Sequence, residues 1–171
     1  LMADDHVTSV VQTRKVGTLN REWKIEPGVH GDGDPDALSV RAAEMFAEDM
    51  NNLNMLDVIS QILDAPYYGM TPIEIMYKAE AGLWRIDDLR CLPARWFVFD
   101  PENNPRFLSS GNMYNGEALP ENKFVFARHL PTYENPYGFR LLSRCFWPIT
   151  FKKGGMTFWM KSGYALSLAV A

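Results

Sequence analysis

The chain has 171 residues, 47% hydrophobic and 22% charged, with 17 Lys and Arg against 21 Asp and Glu, a net charge of −4. That is too apolar for a disordered tail, no apolar run reaches the roughly 18 residues a membrane span needs, and Cys91 and Cys145 are too few and too far apart for a disulfide scaffold or a zinc site. By length alone the chain is one ordinary domain, since domains run roughly 100–200 residues.

Residues 1–10 carry neither the basic nor the apolar segment of a secretory signal, so an intracellular chain with reduced cysteines is expected. Asp4 and Asp5 precede Val7, Val10 and Val11 at helical spacing and predict a short capped helix ending near Gly17. Residues 19–26 alternate, with Leu19, Trp23 and Ile25 on one side, and predict a strand closed by Pro27-Gly28. After a Gly-rich loop, Asp34 reads as an N-cap and Pro35 as a first helical residue. The helix over 35–51 has Leu38, Ala42, Met45, Phe46 and Met50 as its apolar stripe. A second helix is expected over 52–65, broken by Pro66 and Gly69.

The middle of the chain changes period. Residues 72–79 alternate, Glu80-Ala81-Gly82 is a turn, and 83–92 return, which predicts a hairpin. Further strands are expected at 95–100, 106–109 and 123–128, with a polar loop between the last two. Helices before a small antiparallel sheet make the fold class α+β. Residues 139–150 read as helix interrupted at Pro148, and 151–161 as its continuation, weakened by Gly154 and Gly155.

Few residues suggest chemistry. Asp32, Asp34 and Asp36 have the opening spacing of a calcium loop, but the sixth and twelfth positions are Ala37 and Ala43 where Gly and Glu are needed. His6, His30 and His129 share no ligand spacing, and no nucleophile elbow or phosphate-binding loop is present. Asp87 and Asp88 are strand neighbours that point to opposite faces. Trp84, Trp96, Phe97, Phe99, Phe124 and Phe126 would stack on bases or sugars if exposed, but a small sheet needs most of its aromatics as core. Neither a catalytic residue, a cofactor nor a metal is expected.

Charge is the more informative pattern. Residues 1–135 hold 12 basic and all 21 acidic residues, a net of −9. Residues 136–171 hold Arg140, Arg144, Lys152, Lys153 and Lys161 and no acid, a net of +5. This predicts an anionic partner, or an acidic surface of the same or a neighbouring chain, near the C-terminal part.

The wording of the sequence adds a family. Asp5-His6-Val7, Arg14-Lys15-Val16, Trp23 to Gly28, Ile62 to Ala65, Tyr68-Gly69, Glu74-Ile75, Pro93 to Phe97 with Phe99-Asp100, Leu119-Pro120 with Lys123-Phe124, Asn135 to Gly138, Leu141-Leu142, Cys145 to Pro148 and Phe151 to Lys153 stand in an order and spacing that resembles the portal proteins of Mu-like tailed phages and prophages. The resemblance implies a non-enzymatic subunit of a dodecameric ring at one capsid vertex, a head-tail connector through which double-stranded DNA is packaged and ejected. Its implied partners are other portal subunits, the terminase large subunit, capsid and head-completion proteins and the passing DNA, with no membrane and no cofactor. Location would be the virion vertex, and the host cytoplasm during assembly. Residues 1–150 would be a wing-like α+β region and 151–171 the start of a stem-like helix with an atypical tail. Because 161–171 matches no family wording and such proteins are longer, the expectation is a truncated, frame-shifted or fragmentary prophage copy, marginal on its own. Arg140, Arg144, Lys152 and Lys153 would face DNA or a neighbouring subunit. The rival reading is a stand-alone β-rich module that uses exposed aromatics to bind sugar or nucleic acid.

Overall fold

The computed structural model describes residues 2, 4–29 and 33–169, with side chains through Ser162. Helix α1 (Asp5–Leu19) opens on Asp4, whose carboxylate accepts the Val7 N–H at 3.3 Å. Helices α2 (Ala37–Asn51), α3 (Met55–Ile62) and the single turn α4 (Ala65–Tyr68) follow. Two three-stranded antiparallel sheets come next. The first has the order β2-β1-β6, from β1 (Met70–Glu80), β2 (Leu83–Cys91) and β6 (Phe124–Arg128). The second has the order β3-β4-β5, from β3 (Phe97–Phe99), β4 (Pro105–Ser109) and β5 (Asn112–Ala118). Helix α5 (Leu141–Arg144) and the long α6 (Phe146–Ala169) end the described chain. The α+β class and the C-terminal helix stand as expected, but the sheet is two sheets.

Phe97 joins them. It is among the most buried side chains and meets Phe107 of β4 at 5.5 Å and Phe124 and Phe126 of β6 at 5.7 and 5.3 Å, all edge-on. Edge-to-face contacts of this kind exceed simple area burial in value. On the helical side the core is Val11, Val58, Ala65, Met70, Ile73 and Leu142, with Ile149 at the start of α6.

Several sequence expectations are corrected. Residues 19–26 form no strand: Leu19 closes α1, the following residues are irregular, and Trp23 is half-exposed. Alternation alone does not make a strand where no neighbouring strand supplies hydrogen bonds. The cap of α2 is Asp36 rather than Asp34, because the Asp36 carboxylate takes the Ser39 N–H at 2.8 Å, and Pro35 lies outside the helix. Pro66 is the second residue of α4 instead of breaking a helix, and Pro148 sits in the first turn of α6, where its missing N–H costs nothing. Arg95 and Trp96 belong to a 3-10 turn, Ala94–Trp96, so the third expected strand starts at Phe97. The loop expected between 109 and 123 contains β5, a polar edge strand. Asp32 and His30 lie outside the described residues.

Candidate interaction surface

Among the described residues no cluster of three His, Cys, Asp or Glu side chains is placed to hold a metal ion, and no helix is long and apolar enough to cross a membrane. The titratable groups that sequence spacing singled out are used structurally. Asp36 caps α2, and that bond to Ser39 holds its carboxyl below the usual range. Asp88 takes the Leu89 N–H and pairs with Arg90 at 2.9 Å, while Asp87 approaches Lys78 at 3.9 Å. The His129 N–H donates to the Gly69 carbonyl, and its ring stands 6.4 Å from Phe139. Cys91 and Cys145 are free thiols, and burial pushes the Cys91 thiol up. Of the aromatics, Phe97, Phe99, Phe124 and Phe126 form the inter-sheet core, whereas Trp84 is exposed and Trp96 lies against Phe107 at the rim.

The acid-free C-terminal part is set on the body by a close backbone crossing. Gly69 (φ +101°) ends α4, and Gly138 (φ +82°) precedes α5. The Phe139 N–H donates to the His129 carbonyl at 2.7 Å, next to the His129–Gly69 bond at 2.9 Å. A Cβ on Gly69 would lie 2.8 Å from the Tyr137 carbonyl oxygen, and one on Gly138 would lie 2.8 Å from that of His129. Both positions therefore need glycine for conformation and for space.

The four basic residues expected to face a partner emerge from this crossing with different fates. Arg140 precedes α5, with its stem against Gly69. Arg144, in the last turn of α5, lays its guanidinium 5.1 Å over the Phe139 ring, a cation–π contact. Lys152 donates to Asp4 at 2.8 Å, so it ties α6 to the cap of α1 and, with the Val7 N–H, holds the Asp4 carboxyl low. Lys153 is exposed and has no ion-pair partner among the described residues. Lys152 and Lys153 project about 100° apart around the helix, so they do not form one basic face.

The spacing arguments missed two exposed apolar features. From Thr150 to Lys161, α6 is exposed at every side chain, and Trp147, Phe151 and Phe158 project within about 40° of one another. Trp147 and Phe151 stack at 5.8 Å. The i, i+4, i+11 spacing was the signal that could have shown this stripe. The second is a groove of about 770 Å³ between α1 and the α4–α5 crossing, lined by Val7, Val10, Val11, Leu63, Pro66 and Leu141. His6 and Arg14 also line it, as does Lys15, which is itself paired with Asp64 at 2.8 Å.

A family model described as the portal protein of Mu bacteriophage matches residues 1–163. No curated protein matches the chain significantly.

Proposed function

Because the chain belongs to the family of Mu bacteriophage portal proteins, we propose that it is a structural, non-catalytic subunit of a head-tail connector ring at the capsid vertex, through which double-stranded DNA is packaged and ejected. The observation that carries this reading is the family match over residues 1–163. Its partners would be further copies of the chain, the packaging motor, capsid and head-completion proteins, and the DNA itself. In this reading residues 1–150 are the wing-like body and 151–171 begin a stem-like helix.

The charge distribution is compatible with that role. A channel must pass DNA without gripping it, and every phosphate contact adds affinity through counterion release. A net of −9 over residues 1–135 is compatible with a body that does not grip DNA, and the basic residues from Arg140 to Lys161 are few and separated. Of the four candidate partner-facing residues, Arg140 and Lys153 are the better placed, since Lys152 is held by Asp4 and Arg144 rests on Phe139. The test is light scattering of the purified chain on a sizing column, with negative-stain microscopy of the leading fraction. Ring-sized particles many times the 19.5 kDa chain mass are expected. A monomer at every concentration would overturn the reading.

A further inference from the structure

Helix α6 leaves the body with little to hold it. Among its described side chains only Ile149 is buried, and every one from Thr150 to Lys161 is exposed. The join to α5 is a single residue. Cys145 closes α5 and lies outside both helices, and Pro148 has no N–H with which to carry the hydrogen-bond ladder across the break. The Ile149 N–H reaches back to the Cys145 carbonyl at 3.1 Å. Among the described residues one side-chain hydrogen bond links α6 to another element, and that is Lys152 to Asp4 at 2.8 Å. Lys152 has no alternative on its own helix. The positions three and four residues away, where a helical partner would stand, are Pro148, Ile149, Gly155 and Met156, and residues 136–171 contain no acid.

The two halves of this pair are unlike. The Asp4 side chain is 6% exposed, and its other oxygen accepts the Val7 N–H, so the carboxylate is fixed in the first turn of α1 with or without Lys152. The Lys152 side chain is 54% exposed, so its ammonium can pass to water at small cost while Asp4 keeps its bond to Val7. Ile149 and Lys152 are three residues apart and share one face of α6, so the apolar and the ionic anchor point the same way. We propose that α6 is a lever hinged at Cys145, and that the Lys152–Asp4 pair is the catch that fixes its direction against α1. Hinges of this kind are a few element-terminal residues that absorb the change in backbone angles. At 1.5 Å per residue Lys152 lies roughly 10 Å and Met160 roughly 22 Å along the helix from Cys145, so slack at the catch is about doubled at Met160. With the catch closed, α6 keeps one direction. With it open, Ile149 alone anchors the helix and α6 swings about Cys145. The device belongs to a single chain and does not depend on the ring reading.

The test measures the distance between spin labels at Gln12→Cys on α1 and Met160→Cys on α6, in the full chain with Cys91→Ala and Cys145→Ala. Both label sites are exposed and neither belongs to the pair. Labelled chain is diluted in unlabelled chain, so that only distances within one copy are read. The expected result is a narrow distribution in this background, and a shift of several ångström with broadening in both Lys152→Met and Asp4→Asn. Asn keeps the cap of α1 and Met keeps the stem of Lys152, so each variant removes the ion pair and little else. The two combined should add nothing further, because they break the same bond, and Lys152→Arg should keep the narrow distribution. A broad distribution in the parent, or an unchanged one in Lys152→Met, would overturn the proposal. So would a change confined to Asp4→Asn, which would assign the effect to the α1 cap. Loss of helical circular dichroism along with the shift would show a helix that melts rather than swings, and would overturn it as well.

Discussion

Arg85 is the side chain on which the attachment of α2 depends. Its guanidinium meets Asp49 at 2.6 Å and Glu48 at 2.9 Å, while the other Asp49 oxygen takes the Ile86 N–H at 3.1 Å. Asp49 is 94% buried, at 6% exposure, so removing it leaves the Ile86 N–H without its partner and Arg85 with Glu48 as its one remaining carboxylate. Asp49→Ala should cost about 3 kcal/mol, read as a lower urea midpoint with unchanged slope. Asp49 and Asp4 also give the protein a defined acid response. Arg85 holds the Asp49 carboxyl below its usual range, and Lys152 does the same for Asp4. A depressed folded-state pKa contributes stability that is fully present above the unfolded value, about 3.9 for Asp. It is lost as pH falls through the folded value. Stability against urea should therefore stay level from neutral pH to about 5 and fall below about 4. The fall should be shallower in Asp4→Asn, because that variant has one depressed carboxyl fewer; an unchanged slope would show that Asp4 does not contribute. The strongest single packing residue is Phe97, which touches both sheets. Phe97→Ala should cost about 3–5 kcal/mol and loosen β3 from β6, visible as faster amide exchange in both strands.

At the level of elements, the parts that could be read from sequence were those whose signal is local. The β1–β2 hairpin follows from alternation on both sides of Ala81-Gly82. The two turn residues have φ of 51° and 78°, the mirror-image turn that suits strand twist. Ala81 is the wrong residue for that conformation, so Ala81→Asn should stabilise by about 0.5–1 kcal/mol and raise Tm by about 2 °C. No rise in a calorimetric scan would mean that the turn relaxes in solution. The elements that failed to show in sequence lack either the apolar alternation or the partner that a strand needs. β5 is polar and Gly-containing, and exists because Arg106 and Phe107 of β4 pair with Ala118 and Glu117, with the Arg106 side chain also donating to the Asn115 and Gly116 carbonyls. Residues 19–26 have strand-like alternation and no partner. The cap of α2 moved from Asp34 to Asp36 because what matters is reach to the third helical N–H, not the presence of Asp before Pro. The candidate surface was half legible. Acid-free sequence identified Arg140, Arg144, Lys152 and Lys153, but nothing local indicated that Asp4, 148 residues away, would take Lys152.

For the whole molecule, the charge total conceals two opposed fields, and the ion pair of Lys152 with Asp4 separates folding from assembly. Lys152→Glu sets a carboxylate against the nearly buried Asp4 and removes the tether between α6 and α1. It should lower Tm before any effect on association is seen. Lys153→Glu changes the charge by the same amount at an exposed position one residue on, and should leave Tm within about 1 °C because such surface changes stay within about 0.5 kcal/mol. If α6 meets an acidic surface of a neighbour, Lys153→Glu should still reduce self-association several-fold at low salt. Parallel light scattering and thermal melts of the two lysine variants measure both sides of that division. Equal losses of Tm in the two variants would show that α6 acts only by its packing within one chain.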